Sequence, residues 1–314
     1  MNRLGVRLRR LGFMVAPPRP SGFATEAGRA AYEAAYRDAV EALWPVPVAS
    51  VFVETRYGTT HALVSGPEDA PPLVLLHGAG LSAVSWFPNA ARLAAAHRIF
   101  SLDSVFDSGL GRQTGIIRGR RDVARWLAEV IHALGLTRPA VAGLSQGGWA
   151  VASLALFEPG SVARAALLAP AATLRPFRLP VALGARYGYL LPNRDPVAGA
   201  RRTFGMVFGD RFTPDERFIR LAAAGTAHFR YARPPVFPTV FPDGDLAAIA
   251  VPLLVLVSEK DVIYDPRRAF ERARRVMPDA ETEMVPGAGH FVAMEAAELV
   301  STRLLDFFAS PSEP

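Results

Sequence analysis

The sequence predicts an α/β fold: a mostly parallel central sheet, helices on both of its faces and a helical insertion late in the chain. Three observations carry this. Pro72-Leu73-Val74-Leu75-Leu76 and Val251-Pro252-Leu253-Leu254-Val255-Leu256-Val257 are almost wholly apolar, as expected of parallel strands buried on both faces. From Leu73 onward such strands alternate with helical patterns, the signature of right-handed βαβ crossovers. Between Ala172 and Ala250 the alternation breaks and aromatic residues crowd in. At 314 residues, half of them hydrophobic, the chain is long enough to bury one large core.

The elements follow in order. Leu4, Leu8, Leu11 and Val15 form a helical stripe flanked by Arg3, Arg7 and Arg10, expected to pack on the body of the protein or fray, with docking on a membrane surface the alternative. Arg9-Arg10-Leu11-Gly12-Phe13 has a twin-arginine look, but the apolar stretch stops at Ala16 against Pro17-Pro18, too short for an export signal. A helix from about Thr25 to Leu43 places Tyr32, Tyr36, Ala39 and Leu43 at helical spacing and is closed by Trp44-Pro45. Two strands, Val51 to Thr55 and Thr60 to Ser65, join across Tyr57-Gly58. A strand over His97 to Leu102 ends at Asp103, with His97 expected as an ordinary surface residue at its entry. The helix Asp122 to Leu134 puts Val123, Leu127, Val130, Ile131 and Leu134 on one face and stops at Gly135. Asp265-Pro266 caps a helix running to about Val276. Glu281 to Val285 reads as a short strand, and an amphipathic helix closes the chain.

The decisive motif is Val141-Ala142-Gly143-Leu144-Ser145-Gln146-Gly147-Gly148, a G-x-S-x-G between an apolar run and a segment free of proline and internal glycine. Strand, sharp turn and helix in that order put a serine in a strained backbone conformation, with its hydroxyl pushed out of the sheet. A side chain at Gly143 or Gly147 would collide with the neighbouring strand or helix. The new helix aims its N-terminal dipole and free N–H groups at the same spot.

A serine hydroxyl needs a base, and the base needs a carboxylate. Of the six histidines, His61 reads as a strand residue, His132 as helical and His228 as a surface residue of the insertion, while His77 belongs to another motif. His290, in Val285-Pro286-Gly287-Ala288-Gly289-His290-Phe291, sits on a glycine-rich loop that can swing an imidazole over the edge of the sheet. Asp261 lies in the Ser258-Glu259-Lys260-Asp261 loop leaving a buried strand and is the expected carboxylate, with Glu259 its nearest rival. His77-Gly78-Ala79-Gly80 follows another buried strand, and its glycines let the loop fold back toward the serine. The backbone N–H groups of Ala79 and Gln146 are the expected oxyanion donors, and His77 is read as tying the loop down.

With these residues assembled, the chain resembles the α/β-hydrolase superfamily from about Val48 to Phe308. The HGAG, GLSQGG, EKD and GAGH segments carry the resemblance, and the order Ser145, Asp261, His290 is that of its triad. Trp44-Pro45-Val46-Pro47 followed by Val53 to His61 is similar to bacterial carboxylesterases with an extra N-terminal helix. The resemblance implies an α/β-hydrolase fold divided into an N-terminal helical extension (1–47), a core (48–171 and 251–314) and a cap insertion (172–250). It also implies a serine hydrolase that cleaves a carboxylic ester through an acyl-enzyme. One departure stands out. Many relatives have a D-x-x-G-x-G-x-S loop after the fourth strand; here Asp103-Ser104-Val105-Phe106-Asp107-Ser108 leads into Gly109-Leu110-Gly111-Arg112-Gln113, longer at the start and with Gln113 in place of the serine.

Composition limits the alternatives. The net charge is +6, but only Lys260 among 35 basic residues is a lysine, and the arginines are spread along the chain without a nucleic-acid module, so no nucleic-acid partner is expected. Arg201, Arg202, Arg230 and Arg233 read as a solvated face of the insertion. Cysteine is absent, and the chemistry calls for no metal or organic cofactor. No apolar run reaches the ~18 residues of a membrane span, so stable membrane insertion is not expected and a cytoplasmic location is. A small ester-like molecule is the expected partner. The aromatic insertion predicts a closed apolar pocket and a preference for short-to-medium acyl groups. Lactone, thioester, carbon–carbon bond and perhydrolysis chemistry share these parts and stay open, as does a non-catalytic ligand-binding protein on the same fold. Oligomeric state is not legible.

Overall fold

The computed structural model describes residues 18–182, 195–208 and 212–309. The Leu4-Leu8-Leu11-Val15 stripe, the Arg9-Arg10 pair and the insertion's Tyr187 and Tyr189 lie outside the described residues.

A two-residue strand β1 (Gly22–Phe23) leads into α1 (Glu26–Leu43), whose N-cap Thr25 accepts the Gly28 N–H through its hydroxyl. The hairpin β2 (Ala49–Thr55) and β3 (Gly58–Ser65) turns over Arg56-Tyr57, and Gly58 takes a φ of 122° that disfavours a side chain. Then come β4 (Pro72–Leu76), α2 (Phe87–Ala94), β5 (Arg98–Leu102), the short β6 (Arg112–Gln113), α3 (Arg120–Ala133), β7 (Ala140–Leu144), α4 (Gln146–Phe157) and β8 (Arg164–Leu168). The insertion contributes α5 (Pro196–Val207), α6 (Glu216–His228), β9 (Phe229–Arg230) and α7 (Asp243–Ala247). The chain returns to the sheet with β10 (Leu253–Ser258), α8 (Pro266–Val276), β11 (Glu281–Val285), α9 (Val292–Glu295) and α10 (Ala297–Ala309).

Among the described residues the main sheet runs β11-β10-β8-β7-β4-β5-β3-β2, with β6 also paired to β3. Every pairing from β5 to β11 is parallel, while β2, β3 and β6 pair antiparallel. This is the α/β-hydrolase architecture the motifs implied.

Strand alternation sorts the core into two faces. Leu73, Leu75, Ile99, Ala142, Leu144, Leu254 and Leu256 face a cluster that contains α1, α2 and α10 residues. Val74, Leu76, Phe100, Leu102, Val141, Val255 and Val257 face a second cluster with residues of α3, α4 and α8. Helix α4 is buried along most of its length, so its sequence QGGWAVASLALF is apolar on all sides rather than amphipathic.

The N-terminal segment and the insertion pack on each other. Phe23 meets the Tyr32 ring at 5.0 Å and the Phe229 ring at 5.4 Å, where β1 pairs antiparallel with β9. Gly28 must be small because an added Cβ would lie 2.9 Å from the His228 side chain. His228 is therefore half-buried against α1 rather than on an open surface, which corrects the reading of it as a surface residue. Phe241 and Leu246 leave the insertion's own core and bury themselves with α8, where Arg272 ties the Phe241 and Leu174 carbonyls to Asp243.

His97 also departs from expectation. It is only 6% exposed, its Nδ1 is 3.1 Å from the Pro71 carbonyl, and Phe308 of α10 meets its ring edge-on. The last helix folds back over the entry edge of the sheet and covers it.

Candidate active site

Strand β7 ends in the turn that its glycines permit. Ser145 has φ 55° and ψ −114°, a strained conformation for a side-chain-bearing residue. A Cβ on Gly143 would lie 2.3 Å from the Gly147 carbonyl, and one on Gly147 would lie 2.5 Å from the Leu76 oxygen. The strain is held by backbone bonds. The Ser145 N–H donates to Leu168 O at 2.9 Å, and its carbonyl accepts from Ala171 and Trp149 at 3.0 Å.

The Ser145 Oγ lies 2.7 Å from His290 Nε2, and His290 Nδ1 lies 2.8 Å from Asp261 Oδ2. A carboxylate only accepts, so Nδ1 carries the hydrogen and Nε2 presents its lone pair to the serine hydroxyl. Asp261 is oriented by the Ile263 N–H on its other oxygen, 2.8 Å away. Glu259 instead accepts the Gly287 N–H at 2.7 Å. All three members of this line are buried: Ser145 is 5% exposed, Asp261 3% and His290 1%.

The loop after β4 closes on the serine from the other side. A Cβ on Gly78 would approach the Ser145 Cβ to 3.2 Å, so the absence of a side chain sets how near this loop can lie. His77 fastens it: Nδ1 donates to the Gly78 carbonyl at 2.7 Å, and Nε2 accepts the Ser104 N–H at 3.0 Å. Gln146 opens α4, where an N–H has no intrahelical acceptor. Among the described residues, no turn or loop bond engages the Ala79 N–H.

Several supporting groups escaped the sequence reading. The His290 N–H donates to Val207 O at the end of α5, 2.9 Å away, so the insertion holds the imidazole loop directly. Glu295 accepts the Gly289 N–H at 2.8 Å. The His290 ring lies between Tyr264, edge-on at 6.3 Å, and Phe291 at 5.4 Å. Burial and then the Asp261 charge hold the Tyr264 phenol well above its ordinary range, so it stays neutral. Glu295, five residues after the histidine, was the one local signal available; the Val207 contact has none.

A second line of similar composition lies under the β2–β3 hairpin. His61 Nδ1 is 2.8 Å from Asp103 Oδ2, and His61 Nε2 is 3.1 Å from Ser50 Oγ. Burial alone would raise the Asp103 carboxyl. The His61 hydrogen bond, the charges of His61 and His77 and the Ala83 N–H together bring it below its ordinary value. Ser50 sits on the regular strand β2, and among the described residues no strained turn or helix N-terminus lies at it to receive an oxyanion. Its work is structural: Asp103 also accepts from Ala83 and Leu110 backbone N–H groups and pins the loop after β5.

The sequence matches the model of the alpha/beta hydrolase family over residues 73–302. The chain belongs to the alpha/beta hydrolase family. Among its relatives, a protein named "Uncharacterized carboxylesterase nap" from Bacillus subtilis (strain 168) is 36% identical over 271 residues, which span 85% of this chain and 88% of that one. Carboxylesterase YbfK of the same organism is 34% identical over 90% of this chain and 95% of its own. The crystal structure of carboxylesterase CesB (YbfK) from Bacillus subtilis superposes with a TM-score of 0.83 at 32% identity, covering 92% of this chain and all of that one. That of naproxen esterase from Bacillus subtilis does so at 0.81 and 35% identity, covering 90% and 98%. In this alpha/beta hydrolase, Ser145, Asp261 and His290 follow strands β7, β10 and β11 at one edge of the sheet. No helix among the described residues is long and apolar enough to cross a membrane.

Proposed function

We propose that the protein is a serine carboxylesterase acting on small-molecule esters of short-to-medium acyl chain. The observation that carries this reading is the Ser145–His290–Asp261 line, at 2.7 and 2.8 Å, on a strained turn that opens a helix. Ser145 Oγ attacks the ester carbonyl while His290 Nε2 takes its proton. The tetrahedral oxyanion is received by the Ala79 and Gln146 N–H groups and the N-terminal dipole of α4. The alcohol leaves with the proton from Nε2, water attacks the acyl-enzyme by the same route, and acid and free serine result. Asp261 keeps the imidazole in the required tautomer and stabilises the imidazolium. His77, Gly78, Gly143 and Gly147 hold the two sides of the site at this separation.

The acyl-length preference draws support from burial. Phe204 of α5 and Phe208, just after it, pack against Phe291, beside His290, with rings 6.4 and 5.0 Å away, and the serine itself is almost fully covered. A closed apolar pocket rewards each added methylene by about 0.8 kcal/mol until its end wall is met, after which overpacking reverses the gain. A p-nitrophenyl ester series from acetate to palmitate, run on the parent and on Ser145→Ala, tests both parts. Turnover should peak at short or medium chain and fall at least ~10³-fold in the variant. Near-parental hydrolysis by Ser145→Ala would falsify the nucleophile assignment. A maximum at palmitate, enhanced by liposomes, would replace the esterase reading with a lipase. Faster turnover of lactones or thioesters than of any ester would move the activity to those substrates.

A further inference from the structure

The loop after β5, which ends in Gln113, is unaccounted for by the reaction itself. Its Asp107 is 3% exposed, and each carboxylate oxygen is engaged. Oδ2 accepts the Gly80 N–H at 2.8 Å. Oδ1 accepts the Ser108 N–H at 2.7 Å and the Tyr231 hydroxyl at 3.1 Å. Gly80 is the neighbour of Ala79 and has φ 70°, so the bond to Asp107 fixes the residue that closes the HGAG turn. Tyr231 follows β9 in the insertion, 124 positions further along the chain. The insertion touches the same loop once more, where a Cβ on Gly225 of α6 would lie 2.7 Å from Ser108 Oγ. Ser21 locks the assembly from the N-terminal side: its N–H donates to Gln113 Oε1 at 2.9 Å, and its hydroxyl accepts the Ala232 N–H at 2.9 Å.

We propose that Asp107 is a positioning residue for the oxyanion-binding turn, and that Tyr231 couples it to the insertion, so that the Ala79 N–H is aimed only when the insertion is seated. This rests on the esterase reading above. Gly80 N–H, Asp107 and Tyr231 OH form one hydrogen-bonded chain from the oxyanion turn to the insertion. A carboxyl group is suited to this place because its two oxygens take three donors at once, which a carboxamide with one oxygen and an NH2 cannot. Asp107 touches no reacting atom. Its influence reaches the transition state through the placement of one donor, and a small misplacement of a catalytic group costs up to ~10²-fold in rate.

The test compares Asp107→Asn, Tyr231→Phe and the double variant with the parent on p-nitrophenyl butyrate, together with the affinity of an aryl trifluoromethyl ketone and the rate of fluorophosphonate labelling. Asp107→Asn should lower kcat by roughly 10- to 100-fold with KM within about threefold, and weaken the ketone by the same factor as kcat. Tyr231→Phe should act in the same direction and by less, and the double variant should be no worse than Asp107→Asn alone, as members of one chain are not additive. A loss confined to KM, equal labelling rates in all four proteins, or additive effects in the double variant would each overturn the proposal while leaving the esterase reading intact. Should Asp107→Asn not fold, the half-exposed Tyr231→Phe decides alone: parental kcat and ketone affinity would refute the coupling. A parent that neither labels at Ser145 nor hydrolyses the ester overturns the esterase reading and this inference with it.

Discussion

At the scale of single residues, the site separates two acids that the sequence offered only two positions apart. Asp261 faces the imidazole, and Glu259 holds the backbone of the loop that carries it. Asp261→Asn should therefore reduce kcat by roughly 10³- to 10⁴-fold, because the imidazole loses the partner that fixes its tautomer. Glu259→Gln should cost less than about tenfold, since an amide oxygen still accepts the Gly287 N–H and a neutral bond of that kind is worth roughly 0.5–1.5 kcal/mol. Steady-state kinetics on both variants settles it, and a reversed order of costs would transfer the triad role to Glu259. Ser145, Asp261 and His290 were legible because each sits in a local signal: a glycine-flanked serine, the acid at a strand's end, a histidine in a glycine loop. The groups that steady them were not. Val207 O, which holds the backbone of His290, comes from an element 83 positions away, and no spacing rule links such residues before the chain is folded.

At the scale of elements, the strands and core helices could be read because burial dictates their patterns. Continuous apolar runs became central strands, and Thr25 and Asp265 capped the helices they preceded. What α1 does could not be read, because its amphipathic face says that it packs without saying on what. Tyr32 and Tyr36 are each 1% exposed, and Tyr36 meets the His61 ring edge-on at 5.7 Å above the pinned β5 loop. The helix is thus a wall of the core and not an appendage. Tyr36→Ala should destabilise the protein by about 3–5 kcal/mol, as large aromatic truncations in cores do, whereas Thr25→Ala should cost only about 0.5–2 kcal/mol. Urea unfolding of the two variants compares them; a costlier Thr25→Ala would mean that α1 is stabilised mainly through its cap. Gln113 also gains a meaning at this scale. Its side-chain oxygen accepts the Ser21 N–H, joining the β5 loop to the segment that enters α1.

For the molecule as a whole, the closing of the sheet's entry edge by α10 has a pH signature. Burial lowers the His97 imidazole from its ordinary 6.5, with partial relief from the Pro71 carbonyl. The folded protein thus binds this proton less readily than the unfolded chain does. The stability due to neutral His97 is present above about 6.5 and is lost as the pH falls through the lowered folded value. Urea midpoints measured between about pH 7.5 and about 5 should decline in the parent and decline less in His97→Asn, whose amide can still donate to Pro71 O. Parallel declines would remove His97 from the acid response. The sequence misread this residue for a physical reason: strand entry usually means solvent, and only the return of a helix some 200 positions later buries it.

The pairing of β1 with β9 has a consequence for synthesis. The Ala24 N–H finds its partner at His228 O, so the first described elements wait for about 200 further residues before they can dock. At about 5–20 residues per second, that is roughly 10–40 s during which Phe23 has emerged from the ribosome without its partner Phe229. The sheet's parallel strands can associate in that interval, but the tyrosine face cannot be covered by the insertion until α6 is made. A nascent chain of this protein therefore completes the packing of its N-terminal segment late, and the Phe23 face is the part left open until α6 and β9 are made.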